Sequence, residues 1–191
     1  TGMRIGKIIG LKWSDIDFAN RTIYVSRTLV YIKSDDVNSP NYNKWGFEFH
    51  EPKTDKGRRK IPMTLKAYQI LKRQQLWKRG METKGYKASE GYEDLVFTTT
   101  KNTPISPRDT TVVMKFITER IRKKRPDFEP ATPHTLRHTF ATRCIEGGML
   151  PKTLQKILGH SNIGITMNLY VHITEEEKLK EINMVANALN L

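Results

Sequence analysis

The chain contains a single cysteine, Cys144, so no disulfide can close within it and nothing points to an oxidising compartment. No apolar run approaches the roughly 18 residues that span a bilayer, and the N-terminus lacks the charged-then-apolar layout of a signal peptide. These absences predict a soluble protein of a reducing cytoplasm. A leading methionine is missing as well: Thr1-Gly2-Met3 runs straight into an ordered-looking segment, which predicts a piece of a longer protein with partner domains upstream. No internal repeat or low-complexity tract is present, and 191 residues suit one compact domain with a continuous core. Acidic residues are scarce, 20 Asp and Glu against 33 Lys and Arg, a formal charge of +13. Such a surface attracts polyanions and speeds encounter with them. Nucleic acid is therefore the first partner to test, against the plain alternative of a basic protein with no specific polyanion partner.

The apolar patterning divides the chain. Ile5, Ile8 and Ile9 fall at helical spacing between Arg4 and Gly10, with Leu11 and Trp13 packing beneath. Arg21 to Lys33 is dense in β-branched and aromatic residues, with Ile23, Val25, Leu29 and Tyr31 on one parity, and reads as a strand. Gly46 to Glu51 and Arg58 to Pro62 read as two more. The polar stretch Ser34 to Lys44 makes a long turn or an insertion at a hairpin tip, and Lys53 to Gly57 makes a tight basic turn. The expected result is an α+β fold, mostly helical, with a small three-stranded antiparallel sheet near the N-terminus.

Helices follow. Thr64 caps one that runs to about Arg79 and stops at Gly80, and Ser106-Pro107 opens one carrying Val112, Val113, Phe116, Ile117 and Ile121. Thr132-Pro133 opens a third, with Leu136, Phe140 and Cys144 directed to the core, and Pro151 to Leu158 is a fourth that ends at Gly159. Thr174 and Glu177 form a capping box for a last helix striped with Leu179, Ile182, Ala186 and Leu189.

Several polar residues fit poorly with a purely structural reading. His134 and Arg137 are three apart and project from one helix face. A guanidinium fork beside an imidazole matches a phosphate, although such pairs also occur on ordinary helix surfaces. His160 follows a helix C-terminus, and Tyr170, taken alone, is a core aromatic with its hydroxyl at the surface. Arg4 and Lys53 stand where cations can converge on a site built elsewhere, or simply meet solvent; Lys56 and Lys60 strengthen the second reading for Lys53.

In chain order these segments are Thr1-Gly-Met-Arg4-Ile-Gly, Glu51-Pro-Lys53-Thr, His134-Thr-Leu-Arg137-His-Thr-Phe-Ala-Thr, Leu158-Gly-His160-Ser and Leu169-Tyr170-Val-His. Together they resemble the tyrosine recombinase family, the phage-type integrases, over nearly the whole chain. The Pro-Lys-Thr wording and the Ser34 to Lys44 insertion look similar to integrases of phages and conjugative transposons.

The resemblance implies a catalytic domain over residues 1–191 with DNA-binding domains upstream of it. It also implies site-specific recombination, as in integration and excision of phages and transposons. Tyr170 would attack a backbone phosphate to give a 3′-phosphotyrosyl link and a free 5′-hydroxyl, which later rejoins another strand. Bond energy is conserved, so no nucleotide or metal cofactor is implied, in keeping with the lack of a Walker-type glycine loop or a carboxylate cluster. Arg4 and Arg137 would clamp the non-bridging oxygens and His160 would add a hydrogen bond. Lys53, or failing it Lys56, would be the general acid, and His134 would accept or position the Tyr170 proton.

The implied partners are double-stranded DNA, further copies of the chain in a dimeric to tetrameric synapse, and accessory DNA-bending or excision factors, all at the bacterial nucleoid. Residues 174–191 would dock on a neighbouring protomer or on their own body. One departure stands out. Lys7 occupies a position where the family often has an acid, and Asp15 is the candidate replacement. A type IB topoisomerase and a DNA-binding regulator on a degenerate scaffold are the competing readings; the compact size with Gly159-His160 disfavours the first, and the presence of all six residues disfavours the second.

Overall fold

The computed structural model describes residues 1–52, 57–169 and 175–189. A short helix α1 (Ile5–Ile9) is followed by a 3₁₀ turn (Trp13–Asp15) and the strands β1 (Ile16–Asp17), β2 (Thr22–Val25), β3 (Thr28–Lys33), β4 (Trp45–His50) and β5 (Arg59–Pro62). Then come helices α2 (Leu65–Thr83), α3 (Pro107–Arg122), α4 (Pro133–Glu146), α5 (Pro151–Leu158), α6 (Ile163–Met167) and α7 (Glu175–Leu189). The fold class is the mostly helical α+β one expected, with antiparallel strands gathered near the N-terminus. No helix among the described residues is long and apolar enough to cross a membrane.

The strands divide differently from the expectation. Arg21 to Lys33 is two strands, because the chain turns at Ser26-Arg27, where Arg27 forms an ion pair with Asp15. The three-stranded sheet is β1-β2-β5, with Ile16 opposite Ile23 and Ile23 opposite Ile61, while β3 and β4 form a separate hairpin with Leu29 opposite Phe49. Burial explains the division. Ile23, Val25 and Ile61 pack with Met3, Met63 and Leu71 against α1 and α2, whereas Leu29 joins Ile9 and Leu95 in a second cluster. Tyr31, expected on the buried parity, is exposed and stacks on Trp45 at 5.7 Å.

Caps set most helix starts as the residues predict. Thr64 accepts from the Ala67 amide, Ser106 and Asp109 form a reciprocal box, and Thr132 accepts from the Thr135 amide, with prolines in the first turns of α3, α4 and α5. Helix α2 continues past Gly80 to Thr83. The roughly 1 kcal/mol that glycine costs inside a helix is outweighed by anchoring of the last turns. Met81 is buried there, and Lys78 Nζ donates to the carbonyls of Glu93 at 2.7 Å and Leu95 at 2.6 Å. In α4, Phe140 and Cys144 pack on Ala141, Leu154 and Leu158, but Leu136 is exposed and Arg137 is buried in its stead. Helix α6 had no counterpart in the expected elements; Asn162 caps it through the Gly164 amide at 2.8 Å. Thr174, the expected cap of α7, lies outside the described residues.

Candidate active site

Arg137 organises the site. Its guanidinium donates to the Gly2 carbonyl at 2.5 Å, the Leu158 carbonyl at 2.9 Å and His160 Nε2 at 2.8 Å. One buried side chain thus ties the N-terminal segment, α4 and the end of α5 together. Two backbone positions make this close approach workable. Gly2 has φ +59 and lies so near Phe140 that a Cβ would sit 2.3 Å from its ring, and Gly159 has φ +66, the left-handed cap that ends α5 and turns the chain into His160. Three of the five N–H donors of Arg137 are thereby committed, leaving Nε and one Nη1 proton for a ligand among the described contacts.

His160 is 8 % exposed and held on both sides. Arginine can only donate, so Nε2 is the acceptor in that bond and the proton resides on Nδ1. Nδ1 donates to Thr166 Oγ1 on α6 at 2.9 Å, and Gln155 Nε2 donates to the His160 carbonyl at 3.1 Å. Burial, then Arg137, Arg4, Arg59 and His138, push the imidazole pKa down from 6.5 to about 4, so the ring is neutral at physiological pH. The resemblance implies that His160 donates to a phosphate; in this structure both ring nitrogens are already engaged.

Arg4, His134, Arg137, His138 and His160 line a pocket of about 140 Å³ that also includes Leu169, the residue before Tyr170. Arg4 is exposed at the N-cap of α1, and His134 is exposed with its ring 5.0 Å from that of His138. Arg4, His134 and Arg137 also line a second cavity of about 350 Å³, on the side of Thr132. Four of the six expected site residues are brought together in this way. The other two, Lys53 and Tyr170, lie outside the described residues, as does Lys56.

Arg59 is a residue that the sequence did not single out. Its Nε donates to the Ile157 carbonyl at 2.7 Å, its Nη1 to the Gly57 carbonyl at 3.4 Å, and its guanidinium lies against Gly159, where a Cβ would be 2.6 Å away. It bridges Gly57, just before β5, and the corner that carries His160. Burial and Arg4 lower its pKa to about 10, as burial, Arg4 and Arg59 do for Arg137, so both stay charged. Arg58, Arg59, Lys60, Lys152, Lys156 and His160 line an adjoining groove of about 470 Å³. No acidic residue is among those lining the three cavities, which concentrates positive potential on one face.

Lys7 departs further from the family pattern than its position suggested. It is buried, and its Nζ has no hydrogen-bond partner among the described residues; burial, then Arg59 and Arg4, lower its pKa. Asp15 does not replace the missing acid, because its carboxylate is committed to Arg27 and the Lys12 amide.

The profile described as phage integrase family matches residues 1–177. The transposase of transposon Tn916 from Enterococcus faecalis is 36% identical over 183 residues, covering 95% of this chain and 42% of that protein. A tyrosine recombinase XerC-like protein from Caldanaerobacter subterraneus subsp. tengcongensis is 30% identical over 187 residues, 95% of this chain and 45% of that protein. Among solved structures, the Tn1549 transposon integrase in complex with transposon right end DNA superimposes with a TM-score of 0.79 at 34% identity, covering 97% of this chain and 56% of that one. The chain therefore spans about half the length of the relatives it matches. With the family profile covering most of the chain and relatives of 30% identity or more along nearly all of it, the chain belongs to the phage integrase family.

Proposed function

We propose that this chain is the catalytic part of a site-specific recombinase that cuts and rejoins DNA through a 3′-phosphotyrosyl intermediate on Tyr170, in the integration and excision of a mobile element. The observation that carries the reading is the convergence of Arg4, His134, Arg137 and His160, from three separate parts of the chain, on one pocket bordered by the residue next to Tyr170. In the forward step the Tyr170 oxygen bonds to phosphorus, its proton passes toward His134, and the 5′-oxygen leaves with a proton from Lys53. Arg4, and the Nε and Nη1 protons of Arg137, hold the non-bridging oxygens as charge builds. Rejoining runs the same step backwards from a new 5′-hydroxyl, so the chain's own side chains suffice for both directions.

Double-stranded DNA is the substrate, at the bacterial nucleoid in the cytoplasm, in a dimeric to tetrameric synapse assisted by accessory bending or excision factors. The last helix docks on a neighbouring protomer. Two apolar faces support this: among the described residues, Leu179, Ile182, Met184 and Leu189 of α7 are exposed, and so are Val112, Val113, Phe116 and Ile117 of α3. Deleting Glu177 to Leu191 is expected to reduce synapsis and recombination more than binding of an isolated site, and an equal loss of binding would count against docking in trans. The enzymatic reading is tested with a duplex nicked beside the cut, which traps the intermediate. A covalent protein–DNA band that disappears in Tyr170→Phe supports it, and no band from the unaltered chain on any cognate site removes it.

A further inference from the structure

His160 faces the pocket with the wrong nitrogen charged with a proton. Nε2, the atom toward Arg137, has only a lone pair to offer, while the proton points at Thr166. A phosphate oxygen needs a donor. Adding a second proton is opposed by burial and by Arg137, Arg4, Arg59 and His138, which face the ring from α4, the start of α1, β5 and α4 respectively. The remaining route is to move the proton rather than add one. That requires a group at Nδ1 able to accept in one state and donate in the other. A carbonyl, a carboxylate or an amide N–H does only one of these; a hydroxyl does both.

Resting on the recombinase reading above, we propose that Thr166 is a positioning residue that switches the tautomer of His160 when a DNA phosphate enters the pocket. In the free chain the Thr166 oxygen accepts from Nδ1–H. When the phosphate, beyond the Nε and Nη1 protons, also draws off the Arg137 Nη2 donor that faces His160, Nε2 loses its partner. The ring takes a proton from water at Nε2 as water takes the one on Nδ1, so its charge is unchanged, and the Thr166 hydroxyl rotates to donate to the bare Nδ1. Nε2–H then donates to a non-bridging oxygen. His160 lines both the 140 Å³ pocket and the 470 Å³ groove, which gives water a path to the ring. Thr166 is completely buried on α6, and the His160 backbone is fixed by Gln155, so apart from the Arg137 guanidinium only protons and one hydroxyl rotor need move.

The test uses ¹⁵N-labelled histidine. Free chain should report the Nδ1–H tautomer for His160, and the Tyr170→Phe chain on its DNA site should report Nε2–H. Thr166→Val keeps the side-chain shape but cannot donate, so it should slow formation of the covalent band about 10- to 100-fold with less than about threefold change in DNA affinity. Thr166→Ser should recover most of that rate. An unchanged tautomer on DNA, or Thr166→Val cleaving as fast as the unaltered chain, overturns the switch. The tautomer measurement stands on the threonine protein whether or not the valine variant folds. A chain that forms no covalent band at all instead refutes the recombinase reading.

Discussion

Replacing Lys7 with methionine should stabilise this protein, although it removes a buried residue of similar length. Nζ is shielded from water, has no hydrogen-bond partner among the described residues, and is repelled by Arg59 and Arg4. Leaving a buried charged group unsatisfied costs about 1–3 kcal/mol or more, and methionine fills nearly the same volume with a flexible apolar chain. Allowing for some packing mismatch, the net gain is about 1–2 kcal/mol. At about 2–4 °C per kcal/mol for a domain of this size, the melting temperature should rise by about 2–8 °C. The pH dependence identifies the cause. The lysine pKa is lowered on folding from 10.5, so below the lowered value the folded state carries the full penalty, and the penalty fades as pH rises through it toward 10.5. Thermal melts at pH 7 and pH 10 should therefore show the advantage of Lys7→Met shrinking at the higher pH. A variant that melts lower than the parent, or an advantage independent of pH, refutes the reasoning.

His160 makes an opposite contribution at the acid end. Its pKa falls from 6.5 to about 4 on folding, so above 6.5 the stabilisation is complete, and it is lost as pH falls through about 4. That drop corresponds to about 3 kcal/mol, which His160→Gln should largely remove from urea midpoints measured between pH 7 and pH 4. Gly159→Ala should destabilise by about 1–3 kcal/mol in the same assay, through its φ of +66 and the collision with Arg59. In the groove, Lys152→Ala should weaken binding uniformly across DNA sequences and lower the slope of log affinity against log salt by about one, as measured by anisotropy titrations. An unchanged slope would remove the groove from the DNA-contacting surface.

Local signals carried far in this sequence because they depend on few neighbours. Ser106-Pro107, Thr132-Pro133 and Gly159 set helix ends through contacts within four residues, and the structure has all three where expected. The strands were harder, since the break at Ser26-Arg27 depends on Asp15 reaching Arg27 and on two different core clusters competing for one alternating run. The inward turn of Arg137 and the outward turn of Leu136 follow from the Gly2 carbonyl, 135 residues away in sequence. Arg59 fell within the expected strand Arg58 to Pro62, with nothing in its neighbours to mark it for the site. Only the carbonyl of Ile157 and the missing Cβ of Gly159 make it a half-buried part of the site. Thr166 gave no signal at all, because a threonine on a short polar-flanked helix has no pattern until His160 stands beside it.

The central claim concerns one covalent bond, and it is tested most directly by mass spectrometry of the trapped protein–DNA adduct after digestion of both partners. The proposed chemistry predicts a peptide containing Tyr170 that carries a nucleotide through its 3′-phosphate, released with a strand bearing a free 5′-hydroxyl. A 5′-phosphate link, or an adduct on any other residue, would contradict it.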